Sequence, residues 1–234
     1  MWKFFPRFDR KVTTDRQTRR LRGVSESTPT GERQPRPAKS LKAQQRRQEI
    51  LRIAMDTFAA RGYNNASLQE IADRAGVTQA GVLHYFRSKT LLLASVLQLR
   101  DATDTDQDLE RPRGLAFLHH LVDTMRRNAE REGIVRLYAV LSAESTTDGH
   151  PAQEYFRDRY EGLRSDVADA LAEACELGEV RADANIDEAA NTIIAVMDGL
   201  QVQWLLAPDS VDMAASTDRV ITALLADLTG KPTT

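Results

Sequence analysis

A single cysteine, Cys175, stands in 234 residues, so no internal disulfide framework can staple this chain. The thiol is read as a small buried apolar group. Long apolar runs are also missing. No stretch approaches the roughly 18 residues that a membrane-spanning helix needs. The opening "MWKFFPRF" is too short for a secretory apolar segment and is followed at once by arginine. A cytoplasmic protein that does not enter membranes is expected. Strand alternation punctuated by turn dipeptides does not occur, which argues for an all-α fold. Nor is there a nucleophile elbow, a phosphate loop, a dinucleotide fingerprint or a zinc spacing. His119 and His120 are adjacent and leave a helix on different sides, so they cannot share one metal. No cofactor and no metal are expected, and a helical enzyme is the weakest of the functional classes considered.

What the chain does have is an asymmetry of charge. Residues 1–89 carry 19 Lys and Arg against 8 Asp and Glu, a net +11, whereas residues 90–234 carry 13 against 26, a net −13. The overall charge of −2 conceals this split. A basic front end suits an anionic partner, and the count alone does not separate nucleic acid from an anionic surface.

Residues 1–40 are rich in Arg, Ser, Thr and Pro, and Pro29, Pro35 and Pro37 interrupt any helix. This segment reads as a disordered basic arm. From Leu41 onward helical periodicity takes over. A first helix spans about 42–61, with Ile50, Ile53, Ala54, Thr57 and Phe58 as its apolar stripe and Gly62 as its stop. Ser67 and Glu70 form a capping box for a second helix, whose inward face is Leu68, Ile71, Ala72 and Ala75. Gly76 turns the chain, and Thr78 caps a third, short helix that buries Val82 and Phe86.

Three helices with a tight glycine turn between the last two make a helix-turn-helix over residues 41–89. Its third helix leaves Gln79, Ala80, Leu83 and His84 facing outward, flanked by Gly81 and Tyr85. These residue types suit a major groove. Gln79 matches an adenine edge, Ala80 and Leu83 match thymine methyls, and Gly81 allows close backbone approach. His84, Tyr85 and Lys89 present polar tips, and Ser67 sits at a helix start that can receive a phosphate.

With those residues in place, "FAARGY" (58–63), Ser67, "IADRAGV" (71–77), "LHYF" (83–86), "SK" (88–89) and Leu92 together resemble the DNA-binding domain of the TetR family of bacterial transcriptional regulators. The resemblance covers residues 46–92. It implies DNA contacts at Ser67, Gln69, Thr78, Gln79, Ala80, Gly81, Leu83, His84, Tyr85 and Lys89. Ala80 stands where many members have glycine, and Leu83 where many have tyrosine, so no relative's operator sequence can be carried over.

Residues 90–234 read as further helices near 89–104, 113–131, 133–147, 151–178, 186–206 and 210–229, with Pro112, Gly133, Pro151, Gly178 and Pro208 at the joints. This layout is similar to the family's effector-binding and dimerisation domain. Candidate pocket residues are Phe117, His120, Tyr138, Leu141, Glu144, Phe156, Tyr160 and Met197. The last two helices offer Ile193, Met197, Leu200, Trp204, Val220, Leu224 and Leu228 as a homodimer interface. The expectation is a ligand-responsive regulator, a repressor that binds a palindromic double-stranded DNA operator as a homodimer and is released by a small-molecule effector. The alternative is a nonspecific or architectural DNA binder led by the basic arm.

Overall fold

The computed structural model describes residues 37–103 and 112–230. Among these residues it contains α-helices and no strands. α1 (Pro37–Asn65), α2 (Leu68–Arg74), α3 (Gln79–Phe86) and α4 (Lys89–Thr103) come first. α5 (Leu115–Ala129), α6 (Glu132–Glu144), α7 (Gln153–Glu176), α8 (Ile186–Leu206) and α9 (Met213–Thr229) follow. No helix of the described residues is long and apolar enough to cross a membrane.

The expected arm lies outside the described residues up to residue 36. Its last four positions, 37–40, instead belong to α1. Pro37 does not prevent this, because a proline in the first helical turn has no intrahelical N–H bond to lose. The other expected helices appear within a few residues of their ends.

Two apolar clusters hold the molecule together. One joins Ile50, Ala54 and Phe58 of α1 to Ile71 and Ala72 of α2, Val82 and Phe86 of α3, and Leu92 and Val96 of α4. It does not stop at residue 89: Leu137, Tyr138 and Leu141 of α6 and Phe156 of α7 belong to it as well. The other unites α5, the far half of α7, α8 and α9 through Phe117, Leu118, Met125, Leu171, Ile193 and Ile221. Tyr160 packs against both clusters.

Four of the residues expected at a dimer interface are consumed here. Ile193, Met197, Trp204 and Leu228 are buried within their own chain's second cluster, so each has less than a tenth of its surface to offer a partner. The helical period explains it, since these side chains point inward with Ala190 and Ile194. Leu200, Val220 and Leu224 remain half-buried. The apolar surface of α8 that faces outward is carried instead by Val202 and Leu206, the latter 82% exposed.

Candidate functional site: a reading helix coupled to an internal cavity

The helix-turn-helix is built by local bonds that the side chains dictate. Ser67 Oγ accepts from the Glu70 N–H at 3.0 Å, and Thr78 Oγ1 accepts from the Gly81 N–H at 3.1 Å, so both helix starts are capped. Gly76 takes φ +63°, and the Val77 N–H reaches back to the Ala72 carbonyl at 3.0 Å. That pair of features turns the chain between α2 and α3. Arg46 of α1 donates to the Ala75 carbonyl at 3.1 Å, and the Arg47 guanidinium sits 5.0 Å from the centre of the Phe86 ring. α1 therefore braces both of the helices that follow it.

The outward residues are open. Ser67, Gln69, Thr78, Gln79, Ala80 and His84 are exposed, and among the described residues no other helix covers them. Gly81, Leu83, Tyr85 and Lys89 are half-buried. The Ser67 and Thr78 hydroxyls accept from backbone as caps and still have their own protons to donate. Gln69 Nε2 donates to Asp73 at 2.7 Å, which holds its amide along α2. His84 and Tyr85 meet edge to face, with ring centres 5.5 Å apart. Lys89 lies over the Tyr63 ring at 4.4 Å and donates to the Asn64 carbonyl at 3.4 Å. Its pKa is lowered by burial, and the Glu144 carboxylate partly opposes that.

Behind this head lies a cavity of ≈ 190 Å³ at the junction of the two apolar clusters. Phe117, His120, Tyr138, Tyr160 and Met197 line it. Leu141, Glu144 and Phe156 do not, contrary to expectation. Leu141 and Phe156 are buried in the first cluster, among residues of α1 to α4. Glu144 lies two positions beyond Ser142, a cavity residue, which turns it about 200° around the helix and away from the cavity.

Glu144 has a different task. α1 is interrupted at Gly62, whose φ of +73° and ψ of 175° break the helical ladder. The break leaves the next N–H groups without intrahelical acceptors. Glu144 supplies them: its carboxylate accepts from Tyr63 at 2.5 Å and from Asn64 at 3.4 Å. His150 Nε2 stands 3.8 Å from the same carboxylate, and its ring meets Tyr63 edge to face at 5.2 Å. Burial lowers the His150 pKa, with Glu144 pulling the other way.

The sequence reading missed the charged part of the cavity wall. Arg100 and Asp101 of α4, Arg159 of α7 and Asp198 of α8 all line it. Asp101 accepts from the Tyr138 hydroxyl at 3.0 Å and the Tyr155 hydroxyl at 2.9 Å, and Arg100 lies 3.5 Å from it. The guanidinium carbons of Arg100 and Arg159 sit 4.2 and 4.6 Å from the centre of the Tyr138 ring. Burial raises the Asp198 pKa, and burial with the neighbouring Asp198 pushes Tyr160 up to about 12. One signal for this wall was available. Asp198 is the lone charge between Glu188 and Asp209, in a helix otherwise apolar or neutral.

Residues 50–96 match the profile of the bacterial regulatory proteins of the tetR family, and residues 111–230 match the C-terminal profile of BetI-type transcriptional repressors. The chain belongs to the tetR family. Among curated members it is 27% identical over 191 residues to the probable HTH-type transcriptional regulator ArpR of Pseudomonas putida, covering 76% of this chain and 88% of that one. In fold it is similar to SmeT of Stenotrophomonas maltophilia, solved as a complex with triclosan, with a TM-score of 0.62 at 19% identity over 78% of this chain and 91% of that one. It is likewise similar to the regulator FadR of Bacillus subtilis, solved with stearoyl-CoA, with a TM-score of 0.61 at 18% identity over 76% of this chain and 97% of that one. This tetR-family chain is thus a DNA-binding transcriptional regulator. Its helices α4 and α6 each run from the helix-turn-helix to the cavity. Among the described residues, no group of His, Cys, Asp or Glu converges as a metal site.

Proposed function

We propose that the protein is a repressor that binds a palindromic operator as a homodimer and is released by a small molecule in the α4–α8 cavity. The observation that carries this reading is the double connection between cavity and head. α4 begins with Lys89 against α1 and ends with Arg100 and Asp101 in the cavity wall, about 18 Å away along the helix. α6 places Tyr138 and Ser142 in the same wall and Glu144 on the backbone after Gly62. A ligand that binds better when Tyr138 and Asp101 are displaced favours a different seating of both helices, and the head moves with them.

On this reading Gln79, Ala80, Leu83 and His84 meet base edges, while Ser67, Gln69, Thr78, Gly81, Tyr85 and Lys89 fix the backbone. Pairing runs through the outer rows of α8 and α9, where Val202, Leu206 and Leu200 with Val220 and Leu224 form a four-helix contact with their twofold mates. Two heads about one helical turn of DNA apart (~34 Å) account for a palindromic site. The solved complexes of SmeT with triclosan and FadR with stearoyl-CoA support a ligand-responsive reading for a chain of this fold.

Selection of bound fragments from genomic DNA followed by footprinting tests it. The expected outcome is a protected palindrome bound at physiological salt far more tightly than its scrambled duplex. Equal affinity for the two overturns the repressor reading in favour of nonspecific binding.

A further inference from the structure

The geometry points to an amphipathic ligand with an apolar body and a carboxylate head, the head held by Arg159. This rests on the reading of the cavity as the effector site and adds the chemical class of the effector. Arg159 is half-buried at the cavity wall, yet among the described residues no carboxylate oxygen lies within 4.0 Å of its guanidinium. It rests on a face of Tyr138 instead, a ring that also carries the Arg100 guanidinium. A ring face attracts a cation but does not neutralise it.

The two carboxylates of the wall do not redress the balance. Asp101 is already engaged by two tyrosine hydroxyls and Arg100, so it has little left to give a cationic guest. Asp198 is set back in the wall next to Tyr160; burial raises its pKa, the Tyr160 hydroxyl and Arg159 pull the other way, and no oxygen of it reaches the Arg159 guanidinium within 4.0 Å. A planar anion facing Arg159 receives its guanidinium fork. The remaining wall, with Phe117, Leu121, Val135, Leu163, Ile194 and Met197, suits an alkyl or aryl body. At ≈ 190 Å³ the cavity is smaller than the roughly 300–1,000 Å³ that encloses drug-sized ligands, so the body is short.

The test uses three probes of one chain length, octanoate, octanol and octylammonium, titrated calorimetrically into the full-length protein with and without its operator. Octanoate is expected to bind at least tenfold tighter than octylammonium and to lower operator affinity. Arg159→Gln should reduce octanoate affinity by roughly ten- to a hundredfold while leaving octanol binding within about threefold. Arg159→Lys should recover part of the loss, and Asp198→Asn, which removes a carboxylate that acts on Arg159, should not weaken octanoate binding. Octylammonium binding as tightly as octanoate, or a loss of octanoate binding confined to Asp198→Asn, overturns the carboxylate assignment, whatever the variants' stability. Octanol or octylammonium releasing operator when octanoate does not leaves the effector reading standing and refutes only the head group. Octanoate binding through Arg159 without any release of operator supports the head group and refutes the cavity as the effector site. Binding of none of the three refutes both.

Discussion

Gly62→Ala should be among the most damaging single-methyl additions available to this protein. A Cβ built at Gly62 lies 2.3 Å from Glu144 Oε1 and 2.6 Å from its Cδ, well inside any contact distance, so the carboxylate has to leave. Leaving breaks its bonds from the Tyr63 and Asn64 N–H groups, a loss of about 2–3 kcal/mol for charge-assisted bonds in a half-buried place. The backbone at φ +73° and ψ 175° is a region that essentially only glycine occupies, which adds about 1–3 kcal/mol. The total is about 3–6 kcal/mol against a net stability on the order of 5–15 kcal/mol. Glu144→Ala alone removes the acceptor and should cost about 2–3 kcal/mol. In the double variant the clash is gone and only backbone strain is added, so the two changes should be less than additive by about 2–3 kcal/mol. Urea unfolding of the parent, both single variants and the double measures this cycle. Additive single effects, or a cost below about 1 kcal/mol for Gly62→Ala, would refute the claim that Glu144 clasps the broken end of α1.

Three further outcomes follow from the same geometry. Gln79→Ala should weaken operator binding by about 1–3 kcal/mol and relax preference at one base pair per half-site, read by a binding-site selection; uniform weakening across all sequences would reassign Gln79 to backbone positioning. Asp198→Asn should stabilise the protein at neutral pH. Because the folded pKa is raised above the usual 3.8, the carboxyl's stabilising contribution is present below that pH and lost as pH rises through the folded value. Parent and variant should therefore converge in acid and diverge toward neutrality in denaturant melts, and the opposite ordering would show that the charged form is the favoured one. Deleting residues 1–36 removes 10 Lys and Arg and 4 Asp and Glu while sparing α1; it should flatten the salt dependence of DNA binding and keep the preference for the operator. Loss of that preference would assign specificity to the arm.

The helix-turn-helix was legible in the sequence because its determinants are local. Ser67 with Glu70, Gly76, and Thr78 with Gly81 are each bonded within a few residues, and the spacing of Ile71, Ala72, Val82 and Phe86 sets the inward face without help from distant helices. The cavity was only partly legible. Aromatic and apolar positions such as Phe117, Tyr138 and Met197 stand out on any helix face, whereas Arg100 and Arg159 look like ordinary surface charges until α4, α6 and α7 are packed together. Glu144 misled for the same reason. An acid near the end of an apolar helix reads as lining, and only the break in α1 at Gly62, far earlier in the chain, shows what it grips. The expected dimer residues were drawn from the more apolar side of α8 and α9, which is the side a monomer buries first.

The apolar cluster that unites Phe58, Ile71 and Val82 with Leu137, Leu141 and Phe156 has a consequence for engineering. The head of this regulator is not a cassette. Excised at residue 89 it would lose α4 and leave the underside of α1 facing water, and grafted onto another sensor it would meet a foreign α6 with its own bulges and hollows. A working chimera has to transplant the inner faces of α6 and early α7 with the head, so that the seam falls inside the sensor rather than between the two halves.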